Sequence, residues 1–223
     1  MVISPKQDFF TTMHDDGTLK FWEIPSGKQL SSLKAHPSHT PLAISSNGET
    51  LLIQNAGDVK RFRRIATGAE FGNIDNSYIE STFATTSNGK YVLIQSGRTV
   101  NLHDMITGSK IRSFTEVSPG VSEIFVSPDQ KTFLSVNEDD YKLWNLETGK
   151  ELLTLIQGDS RSNSVFTPDS TTLISLPWHN NYLKIWDVNT GKLTHKFCIN
   201  SHATEPKDAQ IKGIRVKNQR SLI

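Results

Sequence analysis

The stretch "YKLWNLETGK" (141–150) is followed 42 residues later by "LKIWDVNTGK" (183–192), and "LKFWEIPSGK" (19–28) is a third copy with Trp22, Trp144 and Trp186 in one column. Repetition at a fixed period means stacked units, so it is read before any local propensity. Five glycines hold the phase: Gly27 in "IPSGK", Gly68 in "IATGA", Gly108 in "MITGS", Gly149 in "LETGK" and Gly191 in "VNTGK", at spacings of 41, 40, 41 and 42. Six residues before each stands Phe21, Phe62, Leu102, Leu143 or Ile185, and within one position of it Trp22, Phe62, His103, Trp144 or Trp186. Each glycine therefore closes a β-rich run. Leu30 and Leu33, Phe71 and Ile74, Ile111 and Phe114, Leu152 and Leu155, and Phe197 mark the strand that follows.

A second marker recurs as "SPKQ" (4–7), "SSNG" (45–48), "TSNG" (86–89), "SPDQ" (127–130), "TPDS" (167–170) and "VKNQ" (216–219). Proline at the first central position presets φ and Asn-Gly favours a hairpin, so each marker is a tight turn joining antiparallel strands such as "SEIFV" (122–126) and "KTFLSV" (131–136). Each unit is then four short strands, a to d. Apolar residues come in short β-branched or aromatic runs bounded by Gly, Pro, Asn and Asp, with no helical period. A four-stranded sheet of this size cannot hide both faces alone, and radial repetition of such sheets is an all-β propeller of four-stranded antiparallel blades.

Composition agrees with a globular chain. The 223 residues are 35% hydrophobic, and 24 basic against 23 acidic side chains leave a net charge of +1, which gives no bulk attraction to nucleic acid or anionic membrane. Cys198 is the only cysteine, so no internal disulfide or cysteine-based metal site is expected. The opening "MVISPKQDFF" has no apolar run of signal-peptide length and no stretch approaches a membrane span, which leads to a cytoplasmic expectation.

The "FWE", "LWN" and "IWD" tripeptides after "DGTLK", "DDYK" and "NYLK", at this period, resemble WD-repeat propellers over essentially the whole chain. That resemblance implies a buried network in each blade of a Trp, a turn Asp, a Ser or Thr and a His. Asp16 with Trp22, and Asp139 or Asp140 with Trp144, take two of these parts, and Trp186 stands in the same column. The Gly-His dipeptide that supplies the histidine is absent, and Ala35-His36 and Ser201-His202 are its nearest substitutes. Phe62 and His103 are read in the Trp column of the second and third blades.

Family phase gives residues 1–36 strands b, c and d of a partial blade, full blades at 37–76, 77–117, 118–157 and 158–199, and the start of another at 200–223. A five-bladed ring could borrow "IKGIRV" (211–216), but "RSLI" (220–223) would then have no sheet to join. The favoured expectation is a fragment with an incomplete ring, whose missing blades or another chain cover the open ends.

Chemistry-bearing motifs are sparse. His36 and His39 in "AHPSHTP" have a metal-like gap but no carboxylate or cysteine nearby in sequence, so no metal is expected. In "KRFRR" (60–64) a strand splits Arg61 and Arg63 from Lys60 and Arg64, which breaks up a phosphate patch. Arg61, read in an otherwise apolar column, is expected to pack its stem and send its head to solvent or a carboxylate. No phosphate loop, nucleophile elbow or paired-carboxylate motif appears.

The resemblance and the missing motifs imply a non-catalytic scaffold for protein or peptide partners, without cofactor, nucleic acid or membrane. The alternative is a propeller enzyme or sensor that binds a small molecule or cofactor in the central channel. Partner contacts are expected on the rim that carries the b-to-c and d-to-a loops. Trp178 and His179 in "LPWHNN" (176–181) and Arg161 in "GDSRS" (158–162) form the main patch, with Tyr78 and Arg98 elsewhere on the rim.

Overall fold

The computed structural model of the chain describes residues 1–55, 60–72, 74, 82–115, 121–137, 140–156, 162–177 and 182–199. These residues form five four-stranded antiparallel sheets, each a meander, arranged as an unclosed β-propeller. Blade 1 comprises β1 (Val2–Ile3), β2 (Phe9–Met13), β3 (Thr18–Glu23) and β4 (Gln29–Lys34). Blade 2 comprises β5 (Thr40–Ile44), β6 (Thr50–Gln54), β7 (Lys60–Arg64) and β8 (Glu70–Phe71). In blade 3 follow β9 (Phe83–Thr85), β10 (Tyr91–Ser96), β11 (Thr99–Asp104) and β12 (Lys110–Phe114). Blade 4 has β13 (Glu123–Val126), β14 (Thr132–Val136), β15 (Asp140–Asn145) and β16 (Glu151–Ile156), and blade 5 has β17 (Ser162–Phe166), β18 (Thr172–Pro177), β19 (Tyr182–Asp187) and β20 (Leu193–Cys198).

The three strands expected of residues 1–36 become four. Val2 pairs with Thr11 and Ile3 with Phe10, because the Ser4 turn reverses the chain directly into β2.

One device builds all five a-to-b turns. Ser4, Ser45, Thr86, Ser127 and Thr167 accept a backbone N–H from the residue five positions on, at 3.3, 2.9, 2.9, 3.1 and 3.1 Å. The fourth turn residue is left-handed in every copy: Gln7, Gly48, Gly89, Gln130 and Ser170 have φ of 59°, 77°, 67°, 61° and 61°. Pro-containing and Asn-Gly markers are thus the same turn.

Alternation along each strand sends neighbouring side chains to opposite faces, so a blade can pack against a neighbour on either side. Four cores fill the four junctions. Leu19 and Phe21 meet Ile44, Leu51 and Ile53 between blades 1 and 2, while Leu52 and Phe62 meet Val92 and Ile94 between blades 2 and 3. Leu102 and Phe114 meet Phe133 and Trp144 at the third junction, and Leu134 and Leu143 meet Leu173 and Trp186 at the fourth.

Strand register corrects blade 2. Trp22, His103, Trp144 and Trp186 lie opposite Phe10, Val92, Phe133 and Leu173, each six residues after its turn hydroxyl. The equivalent residue in blade 2 is Leu51, and its partner is Arg63, not Phe62. Phe62 belongs with Phe21, Leu102 and Leu143. Arg61 shifts likewise, opposite Ile53, into a column with Lys20, Asn101, Lys142 and Lys184. Its guanidinium lies 3.8 Å from the Glu70 carboxylate with both side chains well exposed, which fits the expected outward-reaching head.

The turn glycines dock each blade on the one before. A Cβ on Gly149 would fall 2.8 Å from Arg112 Cδ, and one on Gly191 would fall 2.9 Å from Leu153 Cδ2. Gly27, in blade 1, meets nothing within 4 Å.

Candidate functional site

Because each blade is a four-strand meander, its a-to-b and c-to-d turns share one rim and its b-to-c turns lie at the other. On the first rim, side chains and backbone tie blade to blade. Ser46 N–H donates to Gly89 O at 2.9 Å, Gln130 Nε2 to Ser87 Oγ at 3.0 Å, Asp129 N–H to Ser170 Oγ at 3.0 Å, and Arg112 Nη1 to Thr148 O at 3.1 Å. These four contacts engage polar groups in assembly.

The opposite rim is built differently. In blade 1 the His14–Gly17 turn packs on the 35–39 connection: Ala35 N–H donates to Gly17 O at 2.8 Å, and a Cβ on Gly17 would fall 2.8 Å from Pro37 Cδ. The rings of His36 and His39 lie 5.7 Å apart, and His36 Nδ1 bonds Ser38 Oγ at 2.7 Å. Partial burial, then the neighbouring Arg63 guanidinium and the His36 ring, hold His39 below the usual imidazole range. Among the described residues no group of three His, Cys, Asp or Glu comes together as a metal site. Arg98 is exposed at the β10–β11 turn, where Thr99 Oγ1 donates to Ser96 O at 2.8 Å. No helix of the described residues is long and apolar enough to cross a membrane.

Trp178, His179, Arg161 and Tyr78 lie outside the described residues. The strand ends nearest to Arg161 and Trp178 are nevertheless register partners, Ser162 opposite Pro177. His36 does not join a tryptophan network. That part falls to His14: Trp22 Nε1 donates to Thr12 Oγ1 at 2.8 Å, and the Thr12 hydroxyl, now an acceptor, directs its proton to His14 Nε2 at 3.0 Å. Asp16 accepts the Thr18 backbone N–H at 2.9 Å, which keeps its carboxyl below the usual carboxylate range. Of the two acidic residues paired with Trp144 by resemblance, Asp139 lies outside the described residues and Asp140 opens β15.

Trp144 and Trp186 repeat the indole contact, donating to Ser135 Oγ at 2.9 Å and Ser175 Oγ at 3.1 Å. In blades 2 and 3 both halves change together. Arg63 and His103 replace the indole, and Ile53 and Ile94, two residues beyond Leu51 and Val92, replace the hydroxyl. Arg63 Nε instead donates to Gly68 O at 2.6 Å and Nη2 to Lys34 O at 3.3 Å, while Arg64 lies over the Phe71 ring at 4.1 Å. The "KRFRR" cluster is therefore divided between two junctions. His14 could have been found from "TTMHDDG", since Thr12 and His14 share one face of a strand.

No family model matches the chain. It is 25% identical over 260 residues to apoptotic protease-activating factor 1 of Mus musculus, covering 89% of this chain and 20% of that protein. It is 22% identical over 216 residues to the transcriptional corepressor LEUNIG_HOMOLOG of Arabidopsis thaliana, covering 79% of this chain and 27% of that protein. The chain thus spans about a quarter or less of the curated relatives it matches. Among solved structures, Kuenenia stuttgartiensis hydrazine synthase superposes with a TM-score of 0.63 at 17% identity, over 86% of this chain and 63% of that one, a likeness of fold.

Proposed function

We propose that the chain is a WD-repeat propeller segment that acts as a non-catalytic platform for protein or peptide partners, bound on the rim of the b-to-c and d-to-a loops. The observation that carries this reading is the difference between the rims. The Ser87 and Ser170 hydroxyls, Gln130 and Arg112 join blades on one rim, whereas the other carries the exposed Asp15, Asp16 and Arg98 on connections whose sequence varies from blade to blade. A rigid sheet array with variable loops at one end suits recognition, since loops tolerate variation that the strands between packed blades do not. A regulatory assembly is in keeping with a relative titled transcriptional corepressor, although its alignment covers only part of that protein.

The test is affinity capture with the immobilised chain. Arg98→Ala combined with Trp178→Ala and Arg161→Ala is expected to abolish partner retention in a variant that still unfolds cooperatively. Lys150→Ala, on the rim of the glycine turns, is expected to leave it intact. Retention that survives the triple variant and is lost with Lys150→Ala would overturn the assignment.

A further inference from the structure

Two of the five a-to-b turns carry Asn-Gly, at Asn47-Gly48 and Asn88-Gly89, where the other three carry Lys6-Gln7, Asp129-Gln130 and Asp169-Ser170. Asn-Gly is chemically labile, because glycine puts no side chain in the path of ring closure. Its deprotonated amide nitrogen attacks the asparagine Cγ; a C–N bond forms, the Cγ–Nδ2 bond breaks, and ammonia leaves with the proton. Water then opens the cyclic imide. Addition at the side-chain carbonyl gives aspartate, and addition at the main-chain carbonyl gives isoaspartate, whose backbone runs through an extra methylene.

Both turns restrain the first step. The nitrogen that must attack is engaged: Gly48 N–H donates to Ser45 O at 2.9 Å and Gly89 N–H to Thr86 O at 2.8 Å. The carbon it must reach is pinned as well. Asn47 Oδ1 accepts the Ser45 hydroxyl at 2.6 Å and the Glu49 N–H at 3.1 Å, and Asn88 Oδ1 accepts the Thr86 hydroxyl at 2.8 Å and the Lys90 N–H at 2.9 Å. Ring closure therefore needs the turn to open locally.

The products fit unequally. Asp129 and Asp169 already accept the same pair of bonds, from Ser127 Oγ at 2.6 Å and Lys131 N–H at 3.1 Å, and from Thr167 Oγ1 at 2.5 Å and Thr171 N–H at 3.1 Å. Position 88 matches position 129, since Lys90 and Lys131 follow at the same interval. Position 47 does not: Asn47 Nδ2 donates to Glu49 Oε2 at 3.0 Å, and a carboxylate there would face another carboxylate. Isoaspartate suits neither turn, least of all that of blade 3. A Cβ on Gly89 would fall 2.4 Å from Pro5 Cγ and 2.8 Å from Ile44 O, and the turn is tied to both neighbouring blades, through Ser46 N–H to Gly89 O and Gln130 Nε2 to Ser87 Oγ.

We propose that Asn88 is a deamidation site gated by the fold: it converts when its turn opens, the aspartate product closes back into the turn, and the isoaspartate product leaves the rim at blade 3 unlatched. Either product adds a negative charge to that rim. The proposal does not depend on partner binding.

The test is to age the whole chain in dilute solution near neutral pH, folded and in urea, beside the peptide TTSNGKY, and to read digests by mass spectrometry with the two products separated by chromatography. In urea Asn88 should convert at the peptide rate, and in the folded chain about tenfold or more slowly. After removal of urea, chains with aspartate at 88 should regain protease resistance and chains with isoaspartate should stay in the sensitive fraction. Asn88→Asp should unfold at the parent midpoint and Asn47→Asp below it. Conversion of the folded chain at the peptide rate, equal protease resistance of the two products, or an Asn88→Asp midpoint as low as that of Asn47→Asp would overturn the proposal.

Discussion

Trp144 buries its ring against blade 3, stacked on Phe133 at 6.1 Å, and is 4% exposed. Trp22 stacks on Phe10 in the same way at 6.4 Å, yet it stays partly exposed because no blade of the described chain lies against that face. The two substitutions should therefore differ. Trp144→Ala is expected to cost about 3–5 kcal/mol through the cavity it leaves, and Trp22→Ala only about 1–2 kcal/mol for its smaller burial; thermal unfolding of the two variants checks this. His103 adds a pH dependence. Its folded value lies below the ordinary 6.5, chiefly through burial, so the unfolded chain takes up the proton first as pH falls. Stability is complete above about 6.5 and is lost below it toward the lower folded value. His103→Phe should flatten the fall in melting temperature below neutrality, leaving the part due to His39; an unaltered slope would show that His103 protonates freely in the folded state. At this scale the sequence was readable where a tryptophan marked the column. It misled in blade 2, where the aromatic Phe62 attracted an alignment that belongs to Arg63.

The five turns and the glycine dockings are properties of elements rather than of single residues. Gln7 holds a left-handed φ that a side chain disfavours by about 1–2 kcal/mol, and its side chain is exposed. Gln7→Gly is expected to raise stability by about 1 kcal/mol, read as a higher denaturation midpoint. The docking glycines predict a contrast. Gly27→Ala meets open space and pays only the conformational term, whereas a Cβ on Gly108 would sit 3.0 Å from the Gly72 backbone, so Gly108→Ala should destabilise by more. Equal effects would show that the junction between blades 2 and 3 is not packed as described. Strand order and turn positions were legible because Gly, Pro and Asn-Gly punctuate each repeat. The register against the neighbouring blade was less so, since it depends on contacts across the junction that no local pattern encodes.

For the whole molecule, the decisive feature is that among the described residues five blades have four filled junctions and two uncovered faces. Leu134, Val136, Tyr141, Leu143 and Leu155 of blade 4 are at most 5% exposed beneath blade 5. Their counterparts in blade 5, Ile174, Leu176, Leu183, Ile185 and Phe197, are all partly exposed. Apolar patches of this kind promote association. Light scattering across a concentration series should show growing particles, and Ile185→Lys should return them to the mass of one chain; a parent that stays monomeric at high concentration would mean that this face is already covered. Blade count was legible in the sequence through the glycine period, and the filling of each junction was not, because it depends on which side chains two blades bring together. The most direct measurement is fluorine NMR of the chain labelled with 5-fluorotryptophan, with each signal assigned by a single Trp→Phe change and a soluble paramagnetic agent added to a dilute, monomeric sample. If each column residue is buried by the preceding blade and blade 1 has none, Trp22 broadens strongly while Trp144 and Trp186 stay sharp. Equal protection of Trp22 and Trp144 in that monomer would contradict the open array.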